Sequence, residues 1–426
     1  MIRDLKRMRL ILLLVVLFGF APVYGQSTSN PKPRPESVGM SSERLGRINQ
    51  MVEQKIKDGK LAGAITLVAR RGKVVHFEAF GKADVEAGKP LKSDAIFRIY
   101  SMTKPLTTVA AMMLYEEGRF QLNDPLFWYL PEFKDVKVYG GNGDLVKPKR
   151  PITIRDLMSH TSGLTYGAFG DTPVDRQYRA ANLLDSNGNL ADFVKKLSGL
   201  PLVFQPGERW NYSVSTDVLG RLVEVLSGSS LDEFMRQRIF KPLGMSDTGF
   251  DVPAGKLDRF TVNYQWDNTG KRVISDHPAK SRYGRPASFY SGGGGLVSTT
   301  SDYLRFCQMM LNGGALDGVR LLSPKSVQLM TMDHTANAQK PTEGVQLGDG
   351  SGFGLGFRVI TDAASNQRIG SDGTYDWGGL ASTSFFIDPK EQLIGIIMTQ
   401  KLPTDARLTV EFRTAVYQAI VASTDH

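Results

Sequence analysis

The chain has 426 residues, 41% hydrophobic and 22% charged, enough for one large or two interlocked domains with a full core. That balance excludes a disordered or collagen-like chain. The formal charge of +9 is spread without a run of five or six basic residues, so nucleic acid is not an expected partner.

The first 25 residues stand apart. Arg3, Lys6, Arg7 and Arg9 precede an apolar run of 11 residues, Leu10 to Phe20, and Val23-Tyr24-Gly25 fits a cleavage site. This is the order of a secretory signal peptide, so residues 1–25 are expected to be removed and the protein exported, periplasmic or secreted. The run is too short to span a bilayer comfortably, and no stable membrane insertion is expected after cleavage. An uncleaved anchor is the alternative. No Cys follows the run, which excludes a lipoprotein anchor. Cleavage removes four Lys/Arg and one Asp and lowers the charge from +9 to +6.

Residues 26–36 (QSTSNPKPRPE) carry three prolines and read as an extended linker. Ser41-Ser42-Glu43-Arg44 opens a helix with Leu45, Ile48, Met51 and Ile56 on one side. Ala62–Ala69 and Lys73–Phe80 read as strands joined by a tight turn at Arg70-Arg71-Gly72. A helix begins near Ser101: Leu106, Val109, Ala110, Met113 and Leu114 recur at helical spacing, and Pro105 fits only near a helix start. From about 120 to 290 the chain reads as short helices and loops, the clearest helices being Val214–Leu226 and Leu231–Phe240. Gly292 to Gly295 precede a helix, Ser301–Leu311, with Asp302 in its first turn and the single Cys307 as a buried apolar residue. Strands return at Phe353–Ile360, Ala381–Ile387 and Leu393–Thr399, and a helix from about Asp405 to Val421 closes the chain. The layout is α+β. Its sheet comes from both ends, about 37–120 and 290–426, around a mostly helical part at about 120–290.

Ser101-Met102-Thr103-Lys104 fits S-x-x-K. The pattern recurs at Ser29 to Lys32, but in the proline-rich linker, where no pocket can form. A serine hydroxyl needs a base to become a nucleophile. Residues three apart share a helix face, so the Lys104 amine reaches Ser101. A buried lysine sheds its proton more readily, and the free N–H groups of the helix start favour negative charge there. A bare match of this kind is more often a surface Ser and Lys; four further segments change that balance.

Phe97 to Lys104 resembles the nucleophile segment of the serine β-lactamase/penicillin-binding-protein superfamily, most similar to class C β-lactamases and family VIII carboxylesterases. Leu157 to Leu164 (LMSHTSGL), Trp210-Asn211-Tyr212-Ser213, Gly292 to Thr299 (GGGGLVST) and Trp377-Gly378-Gly379 follow in the family's order. The resemblance spans 37–426 and implies a β-lactamase/transpeptidase-like fold: an antiparallel sheet flanked by helices, plus a mostly helical domain. It implies Tyr212 as a proton shuttle beside Lys104 and a structural role for His160. It also implies that Trp377-Gly378-Gly379 begins an edge strand walling the site, with the Leu380 N–H pairing with that of Ser101 as an oxyanion hole. The glycine run lacks the G-K-[ST] of a phosphate loop and reads as close backbone packing.

Two departures bear on substrate. K-[ST]-G is absent, so Trp377 stands where a cation would meet a substrate carboxylate, and Asp372 and Asp376 nearby would repel one. Tyr212-Ser213-Val214 lacks the Asn of Y-x-N. Both point to short-chain neutral esters, with weak β-lactam turnover as a side activity. No G-x-S-x-G, metal motif or cofactor motif occurs, so no cofactor or metal is expected. The alternatives are a β-lactamase or D-amino-acid peptidase on the same site, a non-catalytic β-lactam or peptidoglycan sensor, and acyl transfer to a non-water acceptor.

Overall fold

The computed structural model describes residues 33–341 and 344–423; the expected signal peptide and residues 26–32 of the expected linker lie outside the described residues. The rest of the expected linker is ordered: Pro35–Val38 is a 3-10 turn, and Glu36 accepts the Ser42 N–H.

The centre is an antiparallel sheet of eight strands. In chain order they are β1 (Gly63–Arg70), β2 (Lys73–Asp84), β3 (Lys89–Pro90), β4 (Ser351–Phe353), β5 (Arg358–Ile360), β6 (Tyr375–Gly378), β7 (Ser384–Asp388) and β8 (Leu393–Thr399). Across the sheet the order is β4-β5-β6-β7-β8-β1-β2-β3, so the two ends of the chain meet at β8 and β1. Their register sets Ile65, Leu67 and Ala69 opposite Met398, Ile396 and Ile394 on one face. That face packs against α2 (Thr103–Glu116) and α4 (Thr300–Leu311) in the large core, where Cys307 is fully buried. The other face, with Ala64, Val68, Leu393 and Ile397, is covered by α1 (Ser42–Lys57) and α5 (Ala406–Tyr417). Both faces are dry, which is why β1 and β8 read as unbroken apolar runs. Between the two halves, the first long helix behind the site is α3 (Ser215–Ser227), packed on α2.

Several boundaries moved for local physical reasons. Arg70 belongs to β1, and the turn is Arg71-Gly72 alone, both with positive φ (50° and 72°), as a two-residue hairpin with right-handed strand twist requires. Arg70 is fully buried; its guanidinium donates to the carbonyls of Val38, Gly39 and Ala422 and pairs with Glu391. The expected strand Phe353–Ile360 is two strands, β4 and β5, because Gly356 turns back at φ 88° and a Cβ at Gly354 would lie 2.1 Å from the Met330 carbonyl. The expected helix Leu231–Phe240 is α-helical only to Met235 and continues as a π-turn over Arg236–Phe240.

Trp377-Gly378-Gly379 does not begin an edge strand. Trp377 and Gly378 end β6, an interior strand, and the next strand starts at Ser384, not Ala381. However, β5 pairs only with Tyr375 and Asp376. The Trp377–Gly378 end of β6 is therefore paired on the β7 side and open on the other, and it is this open end that faces the nucleophile turn.

Candidate active site

Strand residues Phe97–Arg98 pair with Val297–Ser298 and lead into a 3-10 turn, Tyr100–Met102, that runs directly into α2. Arg98 anchors the approach. It is fully buried, bonds Asp276 at 2.6 Å and the Thr261 carbonyl at 2.7 Å, and lies 3.9 Å over the Phe260 ring. Tyr100 takes a left-handed φ of 43°, a conformation costing about 1–2 kcal/mol for a non-glycine residue. It is held there by Asn263, which donates to its hydroxyl at 2.9 Å. This kink sets Ser101, half-buried, at the mouth of the helix.

Lys104 follows one turn later and is fully buried. Its Nζ lies 3.3 Å from Ser101 Oγ, 2.9 Å from the Tyr166 hydroxyl and 2.6 Å from the Gly293 carbonyl. Tyr166 and Gly293 can absorb two N–H groups, so the remaining position on nitrogen points at Ser101. In a neutral amine that position is the lone pair, the geometry a general base needs.

Tyr212 also converges on this lysine: Nζ lies 4.6 Å from the centre of its ring. Its hydroxyl accepts from Trp377 Nε1 at 3.4 Å. Sequence reasoning missed Tyr166, whose phenol, not that of Tyr212, bonds Lys104. Burial, with Tyr212 and Asp217 beside it, pushes the Tyr166 phenol well above its ordinary range, so it stays neutral. The one signal was a tyrosine two residues beyond His160-Thr161-Ser162-Gly163-Leu164.

Tyr166 and Tyr212 are brought together by cross-linking of their loops. His160 is buried with φ 57°, its carbonyl accepts the Asn211 N–H, and its Nδ1 lies 3.3 Å from Ser213 Oγ. Burial and the nearby Lys104 keep the imidazole well below its usual pKa, hence neutral. It packs against Trp210, Tyr212 and Phe353, a shaping role, and among the described residues no carboxylate bonds its ring.

The glycine run is close packing. A Cβ at Gly292 would lie 2.6 Å from the Thr216 carbonyl, and one at Gly293 2.4 Å from Asp217 Oδ2. On the opposite wall, a Cβ at Gly379 would lie 2.4 Å from the Ile99 carbonyl, so the end of β6 sits directly against the nucleophile turn. The Leu380 N–H, in the loop just after β6, meets no protein acceptor among the described residues. Trp377 packs at a tilt against Tyr212 and meets Phe353 edge-on, making this wall aromatic.

Of the two acidic residues expected to repel an anion, Asp376 is neutralised by cations. Asp376 is buried between Arg358 at 2.8 Å and Arg413 at 3.0 Å. Burial alone would raise its carboxyl, but these cations hold it below the usual carboxylate range. Asp372 is exposed and accepts the Ala363 N–H.

Residues 48–419 match the protein-family model described as Beta-lactamase. The chain belongs to the beta-lactamase family. Members with similar sequences include an esterase, EstB, of Burkholderia gladioli, 30% identical over 90% of this chain and 98% of that one. A putative D-alanyl-D-alanine carboxypeptidase of Escherichia coli is 28% identical over 86% and 84%. Among solved structures of beta-lactamase-like fold is EstCE1, a hydrolase with promiscuous acyltransferase activity, with TM-score 0.74 and 27% identity over 88% of this chain and 99% of that one. The superfamily is one of serine hydrolases, and the β-lactamase/transpeptidase-like fold read from the motifs is the fold observed.

Proposed function

We propose that this beta-lactamase-family protein is a carboxylesterase for neutral esters, with Ser101 as nucleophile, Lys104 as base and Tyr212 as proton shuttle. The observation that carries the reading is the approach of Lys104 Nζ to Ser101 Oγ at 3.3 Å, beside the Tyr166 hydroxyl and the Tyr212 ring. In acylation, Ser101 Oγ forms a bond to the ester carbon while its proton passes to Lys104. The carbonyl oxygen takes the electron pair against the Ser101 and Leu380 N–H groups. As the intermediate collapses, the ester C–O bond breaks and the proton held by Lys104 is relayed through Tyr212 to the leaving alkoxide, which returns Lys104 to the amine and Tyr212 to the phenol. Water then repeats the sequence on the acyl-enzyme, so ester and water give acid and alcohol. The wall of Trp377, Gly378 and Gly379 carries no charge and would bind substrate by apolar contact.

A second reading, a D-amino-acid peptidase or β-lactamase, has one observation in its favour. A cleft of about 270 Å³ beside Tyr212 is bordered by Arg209 and Lys340, which could meet a substrate carboxylate from another direction. A panel of p-nitrophenyl acetate to octanoate, a chromogenic cephalosporin and a D-Ala-D-Ala peptide separates the two. Rapid cephalosporin turnover with untouched nitrophenyl esters would sink the esterase reading; a stoichiometric burst without turnover would support a sensor. Export by the N-terminal 25 residues is proposed on their sequence pattern. Among the described residues no helix is long and apolar enough to cross a membrane.

A further inference from the structure

Asp217 takes no part in these steps, yet it is fully buried in the first turn of α3, on the far side of Gly293 from Lys104. Its Oδ1 accepts from Ser291 Oγ at 2.5 Å and from the Gly293 N–H at 3.0 Å. The carbonyl of that same Gly293 accepts from Lys104 at 2.6 Å. One residue is thus clamped by a carboxyl at its nitrogen and by the lysine at its oxygen. Asp217 Oδ2 is buried with no hydrogen-bond partner, an arrangement expensive to keep unless the charge has a use. A Cβ at Gly293 would meet Oδ2 at 2.4 Å and the Tyr166 hydroxyl at 3.0 Å, so carboxyl, phenol and loop share one packed space. Lys104 makes no ion pair within 4.0 Å among the described residues; its three polar neighbours are uncharged.

We propose that Asp217 is a positioning residue that acts through Gly293, fixing the carbonyl that orients Lys104 and supplying the buried negative charge that balances the lysine's proton. This rests on the reading of Lys104 as the base for Ser101. The groups facing Lys104 are Ser101 from its own helix start, His160 and Tyr166 from the loop across it, Tyr212 before α3, and Asp217 on α3. His160 and Tyr166 are held neutral by burial, so Asp217 is the carboxyl of the set. Burial raises the Asp217 carboxyl above its ordinary range, and Lys104, Ser291 and the Gly293 N–H offset part of that rise. Losing the anion disfavours the ammonium form of Lys104, leaving more neutral amine at a given pH.

The test is the pH dependence of covalent labelling of Ser101 by a neutral fluorophosphonate, which does not require the natural substrate to be known. Asp217→Asn keeps the shape and an acceptor oxygen but removes the charge. Its acid limb is expected at least about one pH unit below that of the unaltered protein. Ser291→Ala, which leaves the carboxyl but removes a donor favouring its ionised form, is expected to move the limb the same way by less. A superimposable limb in folded Asp217→Asn overturns the proposal. If that variant fails to fold, an unmoved limb in Ser291→Ala overturns it instead. Lys104→Ala separates the two layers: normal labelling there removes the base assignment itself, whereas lost labelling with unmoved limbs removes only the role of Asp217.

Discussion

Two tyrosines crowd one lysine, and their phenylalanine variants assign the proton path. Tyr166→Phe removes a 2.9 Å hydrogen bond from Lys104. Hydrogen bonds involving a charged group contribute roughly 1.5–3 kcal/mol, and about 1.4 kcal/mol is tenfold in rate, so acylation should slow by about 10- to 150-fold. Tyr212→Phe leaves every bond to Lys104 in place and costs only the 3.4 Å contact from Trp377. On structural grounds alone its effect would be small. If its phenol protonates the leaving group, the loss is instead on the order of 10²–10⁴-fold, the usual worth of general acid–base catalysis. The assay is the burst rate of p-nitrophenol release, with thermal melting to confirm folding. For a reactive nitrophenolate the shuttle matters less than for an alkyl leaving group, so the Tyr212→Phe deficit should widen with methyl or ethyl esters. A larger deficit in Tyr166→Phe than in Tyr212→Phe across both ester types would refute the reasoning and make Tyr166 the shuttle.

Other outcomes follow from single contacts. Gly293→Ala places a Cβ 2.4 Å from Asp217 Oδ2 and should slow Ser101 labelling by tenfold or more, read against melting temperature. Asp376→Asn strands Arg358 and Arg413 in a buried site and should cost about 3–5 kcal/mol in urea unfolding at neutral pH. Because the folded Asp376 carboxyl is depressed, its stabilisation is present above the ordinary Asp value near 4 and is lost below it. The gap between the two proteins should therefore shrink as pH falls under about 4 and stay constant from 5 to 8. Expressed in a bacterial host, the full-length protein should begin at Gln26 by intact-mass measurement; a retained Met1 would end the export reading.

Strong local signals carried most of the architecture. The segment at Ser41 does open α1, Asp302 does lie in the first turn of α4, and the unbroken apolar runs of β1 and β8 fit strands covered on both faces. What the sequence hid was long-range. Nothing in Phe353–Ile360 says that Gly354 must press on Met330, so the hairpin there read as one strand. Asp376 looked like a repulsive charge because Arg413 is 37 residues away and Arg358 lies on a neighbouring strand. Within the site, Ser101 and Lys104 are visible because a helix turn brings them together. Tyr166 is not, because it reaches Lys104 across 62 residues by way of a loop fixed by His160 and Asn211.

The tie between the chain's two ends has a temporal consequence. Gly39 accepts the N–H groups of Val421 and Ala422, Ala419 accepts that of Ser41, and Arg70 reaches the Ala422 carbonyl. β8, which completes the sheet under the nucleophile's helix, is synthesised long after Ser101 itself. A nascent chain therefore carries its reactive hydroxyl long before the platform beneath it exists, and hydrolytic competence should arrive in one late step.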